Sequence, residues 1–372
     1  MFYVSSSHAP VAAVGEAASH RQDEEGRVRP RVVEPPFVEG AFLGVGPTAD
    51  APDMIVVPLA YELTTSYGHG TADGPAACIE ASGQVELYDA ELGEDLPAGL
   101  SLHTAAVWES SMPTLLAQLD DMANHARRFM TGDVFPLFLG GEHGILPPLV
   151  HAARDHPRVN GDLSQLTLVQ IDAHADLRSS LDGEPFSHAC AAARALDVGA
   201  GRLLQAGIRA YAKEEAERMK ADDRITSFLA KSTQHPHHGA AAWSAWLDEL
   251  RLVEGPVHLT LDIDGLDGTL VPATGTPVPG GLSFWQVVET IEVLFANPKA
   301  VVISADVNEI AVQTDSPLTQ FTAASLATRI LAHHVLARRE GRWTQVDARA
   351  VSDPALESFF QTTFGGKNSA SS

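Results

Sequence analysis

Short, nearly all-apolar runs recur along this chain and alternate with longer segments of helical period, which leaves few architectures open. The runs span residues 41–45, 54–59, 134–139, 166–171, 203–208, 224–228, 257–261 and 301–304. Their central members, such as Leu166-Thr167-Leu168-Val169-Gln170-Ile171, lack the in–out alternation of a half-exposed strand and read as strands covered on both faces. The clearest helical segment begins at Met112. There Pro113 suits the first turn, Leu115, Leu116, Leu119, Met122 and Phe129 share one face, and Gly132 can close the end. Further helices are expected over 187–198, 240–253, 284–295 and 318–336. Strands and helices alternating at this spacing predict an α/β fold, a parallel sheet with helices on both faces.

Residues 1–40 mix Ser, His, Pro and charges without period and read as an irregular arm or cap. The rest, 41–372, is expected to form a single domain. With 372 residues, 45% of them apolar, the chain can bury a large core. No run of eighteen apolar residues exists, so no membrane association is expected. Residues 1–14 show no basic stretch followed by an apolar one, so no secretory signal is read. Two cysteines, Cys78 and Cys190, exclude a disulfide framework and suit a cytoplasmic setting. With 48 acids against 25 bases, a net charge of −23 repels nucleic acid and favours cationic small molecules and metal ions. The segment His235-Pro236-His237-His238 reads as a polar surface loop.

The polar residues fall at strand ends. Gly140-Gly141-Glu142-His143 follows one run, and Asp172-Ala173-His174-Ala175-Asp176 the next. Asp262-Ile263-Asp264 follows a third, and Asp306-Val307-Asn308-Glu309 a fourth. Ligands bind open α/β sheets at the carboxyl ends of strands, so segments about 170 residues apart would meet at one edge. In extended chain, side chains two apart share a side, which groups Asp172, His174 and Asp176, and also Asp262 with Asp264. Helix capping would explain one such Asp. It does not explain Asp-x-His-x-Asp and Asp-x-Asp together. Four carboxylates packed closely repel, and divalent cations resolve the conflict. Asp and His suit Mn²⁺, Ni²⁺, Co²⁺ or Zn²⁺. The four negative charges of Asp172, Asp176, Asp262 and Asp264 balance two such ions, with His143 and His174 as neutral ligands. Ions roughly 3.5–4 Å apart would ionise a water between them near neutral pH.

Gly140-Gly141-Glu142-His143, Asp172-Ala173-His174-Ala175-Asp176 and Asp262-Ile263-Asp264-Gly265-Leu266-Asp267 resemble the three signatures of the ureohydrolases, the arginase and agmatinase superfamily. Gly275-Thr276-Pro277-Val278-Pro279-Gly280-Gly281-Leu282-Ser283 and Tyr67-Gly68-His69-Gly70-Thr71-Ala72-Asp73-Gly74-Pro75 resemble two further segments of that family, and the likeness spans about residues 50–336. It implies a three-layer α/β/α sandwich with a central, mostly parallel sheet of about eight strands. It also implies two divalent ions, Mn²⁺ in most members with Ni²⁺ as the alternative, and a homo-oligomer, trimer or hexamer. By resemblance His143, Asp172, Asp176 and Asp262 hold one ion, and Asp172, His174, Asp262 and Asp264 the other. Asp172 and Asp262 would bridge, and a bridging hydroxide would attack the guanidinium carbon to release urea and an amine. His188 matches the histidine that passes a proton to the departing amine, and Glu309 the glutamate that pairs with the guanidinium. Asp267 reads as a loop-fixing residue.

The segment Leu177 to His188 resembles the agmatinase form, which points to a cationic guanidino substrate without an amino-acid head group, agmatine above all. Gly144, Gly268, Val271-Pro272-Ala273-Thr274 and Ile310-Ala311-Val312 depart from the family's usual residues without removing a proposed ligand. Guanidinobutyrate, guanidinopropionate and free guanidine are the alternative substrates. A catalytically inactive, regulatory ureohydrolase is the alternative of a different class. A zinc amide hydrolase of the deacetylase type is disfavoured, because His333-His334 sits late and within a helical pattern. Nucleotide binding is rejected, because no Gly-Lys-Ser/Thr follows Gly74.

Overall fold

A computed structural model of the chain describes residues 37–312, 316–346 and 357–365. Most of the expected N-terminal arm, residues 1–36, lies outside them. Eight strands form one sheet: β1 (Met54–Leu59), β2 (Leu102–Thr104), β3 (Phe135–Gly140), β4 (Thr167–Ile171), β5 (Arg202–Ile208), β6 (Ile225–Leu229), β7 (Gly255–Asp262) and β8 (Ala300–Asn308). They run in the order β2-β1-β3-β8-β7-β4-β5-β6, and every neighbouring pair is parallel.

Alternate residues of the central strands feed two cores. Val169 and Ile171 of β4 join one cluster, packed under helices Gly74–Ser82, Gly239–Arg251, Phe284–Ala296 and Leu318–Arg339. Leu168 joins the other, under Leu115–Ala126, Leu146–Ala153 and Ala191–Val198. This is the three-layer α/β/α arrangement expected, and it explains the missing polar alternation, since neither face of the sheet meets water. Each fully buried Leu or Val contributes roughly 1.5–3 kcal/mol, and Leu168→Ala would cost about 2–5 kcal/mol.

Seven of the eight expected strands are present. Residues 41–45 are not a strand. They form a turn, Phe42–Gly44, with Leu43 in the left-handed region at φ 59°. Its amides go to side chains: Phe42 N donates to Thr104 Oγ1 at 2.9 Å and Leu43 N to Ser82 Oγ at 2.7 Å, so the apolar run plugs the core instead of joining the sheet. The eighth strand is β2, whose three residues are too short to show a period. The helix expected from Met112 starts at Leu115, because Thr114 caps it by accepting from Ala117 N at 3.3 Å. Residues 187–198 split into a 3-10 turn, His188–Cys190, and helix Ala191–Val198. His235 to His238 is a turn, as expected. Among the described residues no helix is long and apolar enough to cross a membrane.

Strand order positions the site. The two strands last in the sequence, β7 and β8, insert between β3 and β4, so the chain reverses direction across the sheet at this point. The four polar clusters lie at the ends of β3, β8, β7 and β4, adjacent central strands whose carboxyl ends share one edge.

Candidate metal centre

At that edge Asp172 lies between two histidines. His143 Nδ1 is 3.1 Å from Asp172 Oδ2 and 2.9 Å from Asp176 Oδ2. His174 Nδ1 is 3.0 Å from Asp264 Oδ2 and 3.7 Å from Asp172 Oδ1. Two groups result, His143–Asp172–Asp176 and Asp172–His174–Asp264, each with its ligand atoms within 4.8 Å of one another. Asp262 stands outside both tight groups, its Oδ2 3.7 Å from His143 Nδ1 and its Oδ1 accepting from Asp264 N at 2.9 Å. All six side chains expected to bind metal therefore converge.

The alternation argument fails at one of them. Asp176 has φ 53°, so it does not follow the extended geometry that pairs Asp172 with His174. Glu309 is also left-handed, at φ 64°. Such backbone costs of order 1–3 kcal/mol per residue, and here it turns two carboxylates into the site.

Hydrogen bonds behind His143 set its tautomer. Thr260 Oγ1 donates its one proton to Asp306 Oδ1 at 2.7 Å, so it can only accept from His143 Nε2, at 2.8 Å. Asp306 is held in turn by His258 Nε2 at 2.6 Å and by Asn308 Nδ2, and His258 Nδ1 meets Ser304 Oγ at 2.8 Å. His143 Nδ1 is left as a buried atom with no hydrogen-bond partner, its lone pair facing two carboxylates. That contact is repulsive unless a proton or a cation lies between. The residues fit a cation. Gln170 Nε2 steadies Asp172 Oδ2 at 2.7 Å, backed by Gln205 and Ser227.

The electrostatics show the same tension. Burial and the charge of Asp172 push Asp176 up to about 6. Burial, then Asp264 and Asp172, push Asp262 well above the usual carboxylate range. Burial works against the histidine cations, but Asp172 and Asp176 outweigh it at His143, and Asp264 and Asp172 raise His174 to about 11. Without metal, the imidazoles take up protons to balance the carboxylates.

Above this floor opens a cavity of about 360 Å³, lined by Ser66, His188, Arg178, Tyr211 and Glu309 as well as Asp176 and Asp262. Glu309 Oε1 accepts from His143 N at 2.7 Å and lies 3.0 Å from His188 Nδ1, while Oε2 takes no hydrogen bond from a described residue. His188 Nε2 is 3.2 Å from Ser66 Oγ. Burial lowers the proton affinity of His188, but Glu309 more than restores it, to about 9. The loop carrying Ser66 is tied down by Glu142, whose buried carboxylate accepts from Leu63 N, Thr64 N and Thr64 Oγ1 at 3.0, 2.7 and 2.6 Å. A Cβ on Gly144 would meet Glu142 Oε1 at 3.0 Å and Tyr61 Cε1 at 3.1 Å, so a larger residue there would need these side chains to shift. Asp267 fixes a loop, accepting from Gly280 N at 2.7 Å and Thr269 N at 3.0 Å.

Three comparisons bear on this arrangement. The family model described as the Arginase family matches residues 52–333. The chain belongs to the arginase family. As an arginase-family protein it is a hydrolase. Among similar relatives is an N(1)-aminopropylagmatine ureohydrolase of Synechocystis, 33% identical over 75% of this chain and 88% of that protein. An agmatinase of Pyrococcus horikoshii is 31% identical over 75% of this chain and 92% of that protein. Among solved structures, agmatine ureohydrolase of Thermoplasma volcanium aligns with a TM-score of 0.65 at 27% identity, covering 78% of this chain and 92% of that one. Proclavaminate amidino hydrolase of Streptomyces clavuligerus shares the fold, with a TM-score of 0.69 at 21% identity over 83% of this chain and all of that one.

Thr260, His258, Ser66, Thr64 and Gln170 were not legible as site residues one by one, and Asp306 was legible only as part of a polar strand end. A signal was nevertheless present. His258-x-Thr260-x-Asp262 and Ser304-x-Asp306-x-Asn308 put polar groups at every second position of otherwise apolar strands, which is a shared polar face running back from the edge.

Proposed function

We propose that this arginase-family hydrolase cleaves a guanidino compound lacking an α-amino-acid head group, agmatine or its N-aminopropyl derivative, to urea and an amine. The observation that carries the reading is Asp172 shared between two histidine–carboxylate groups, beneath a cavity walled by Glu309 and His188. His143, Asp172 and Asp176 would hold one divalent ion, and Asp172, His174 and Asp264 the other, with Asp262 completing both. Mn²⁺ is the ion we assign. When bound, the pair supplies a water acidic enough to serve as nucleophile near neutral pH.

The chain's own groups do the rest. The free Oε2 of Glu309 meets the planar guanidinium, orienting its carbon over the floor. His188, which Glu309 holds as an imidazolium, gives a proton to the departing amine nitrogen. Ions bound beside it disfavour that charge and bring its proton affinity down toward neutrality. The names of the relatives support the agmatine class, as does the acidic chain. We assign the protein to the cytoplasm and to a trimeric or hexameric assembly, as the family resemblance implies.

One observation favours a second reading. Arg178 lines the cavity, its Nε 3.7 Å from Glu215 Oε2, and a guanidinium there suits the carboxylate tail of guanidinobutyrate or guanidinopropionate. The test is urea release from arginine, agmatine, N-aminopropylagmatine, guanidinobutyrate, guanidinopropionate and guanidine after loading with Mn²⁺ or Ni²⁺. We expect an agmatine to exceed arginine at least 100-fold in kcat/KM. A guanidino acid in first place supports the second reading, and arginine in first place defeats both.

A further inference from the structure

A second cluster of ligand-type side chains lies outside the cavity and shares no residue with it. Glu91 sits in the turn between the paired segments Tyr88–Asp89 and Glu94–Asp95. Glu292 is on the helix Phe284–Ala296 and His333 on the helix Leu318–Arg339. One ligand atom from each lies within 4.8 Å of the others. His333 is only 5% exposed and makes no hydrogen bond with any described residue, so its imidazole faces the two carboxylates with only residual access to water.

We propose that Glu91, Glu292 and His333 form a third divalent-cation site, separate from the catalytic pair, which staples the 88–95 turn to the two helices. The chemistry selects a borderline ion. One imidazole nitrogen with two carboxylate oxygens suits Mn²⁺, Co²⁺, Ni²⁺ or Zn²⁺, with water filling the remaining positions. The surrounding charges leave room for it. Arg329 Nη1 is 2.6 Å from Asp89 Oδ2, so its charge is already engaged. Arg342 pairs with Glu340, and Glu289 accepts from Trp243 Nε1 at 2.6 Å. Asp89, Glu91 and Glu292 against Arg329 leave two negative charges, which one divalent ion cancels. Asp89 Oδ1 also accepts from Glu91 N at 2.9 Å and Leu92 N at 3.0 Å, holding the turn that presents Glu91. Burial and the neighbouring Glu91 and Glu289 raise the Glu292 carboxyl, the same tension between carboxylates seen at the catalytic floor.

The test is Mn²⁺ content after equilibrium dialysis of the full chain, read with the paramagnetic spectrum and urea release. The wild type should hold three Mn²⁺ per chain, one of them giving the six-line signal of an isolated ion. Glu91→Gln and His333→Gln should each hold two, lose that signal and keep urea release within twofold. Asp172→Asn should keep the isolated ion while losing the others. His333 is in the core and its variant could unfold, so Glu91→Gln on the exposed turn decides. Equal Mn²⁺ counts and spectra in wild type and Glu91→Gln overturn the site, as does a count that falls together with urea release.

Discussion

The catalytic floor and the Glu91–Glu292–His333 cluster pair carboxylates with imidazole in opposite ways. The floor is delivered by strand ends. Four adjacent strands of one sheet project the residues at their carboxyl ends into a common volume, and Asp172, His143 and Asp264 are almost wholly buried. The second cluster is delivered by the sides of two helices and one hairpin turn, and Glu91 remains exposed. Strand ends can therefore bury several like charges together and must hold cations to do so, whereas the helix-borne cluster keeps water at hand. The floor should be unforgiving of substitution, and the second cluster tolerant.

The largest break in that contrast is Asp262→Ala. On the proposal that Asp262 serves both ions, its loss should remove several kcal/mol of transition-state stabilisation, and at about 1.4 kcal/mol per tenfold the loss of urea release is on the order of 10³ or more. A fully active variant would show that Asp262 does not bridge. His188→Asn should lower kcat by about 10²–10⁴-fold with Mn²⁺ content unchanged. Its pH profile sharpens the role. The imidazolium is present below its pKa and lost as pH rises through it, so kcat of the wild type should fall on the alkaline side and the variant should lack that limb. The metal-free protein should titrate His188 near 9 by NMR, and a diamagnetic ion should move it down. An unmoved value would separate His188 from the metal site.

Thr260→Val tests the support beneath the floor. Without an acceptor for Nε2–H, His143 loses its fixed tautomer, and Mn²⁺ affinity should weaken by about 10–100-fold, with Thr260→Ser restoring it. Asp176→Asn should act in two directions. A carboxyl whose folded pKa is raised to about 6 stabilises the fold below its unfolded value and loses that contribution as pH rises through about 6. At neutral pH the carboxylate therefore costs stability, and the metal-free variant should unfold later in urea by on the order of 1–3 kcal/mol while binding Mn²⁺ more weakly. A metal-free variant less stable than wild type would mean that His143 and His174 more than neutralise the floor. The smallest effect is that of Glu91→Gln on kcat, expected within twofold.

Sequence alone determined the class of fold, because central strands covered on both faces are mostly apolar without strict alternation and that pattern is local. It also determined the six ligand-type residues, since Gly-Gly-x-His, Asp-x-His-x-Asp and Asp-x-Asp stand out against such strands. It could not reveal that 41–45 turns back on itself, since Ser82 and Thr104 capture its amides from far along the chain. Tertiary structure alone decided the rest. Asp176 reaches His143 through a left-handed backbone, and Thr260 and Asp306 choose the nitrogen of His143 that faces the floor, by hydrogen bonds between β7 and β8, which only strand order makes neighbours. Residue type is local information. Which lone pair faces which carboxylate depends on the assembled sheet.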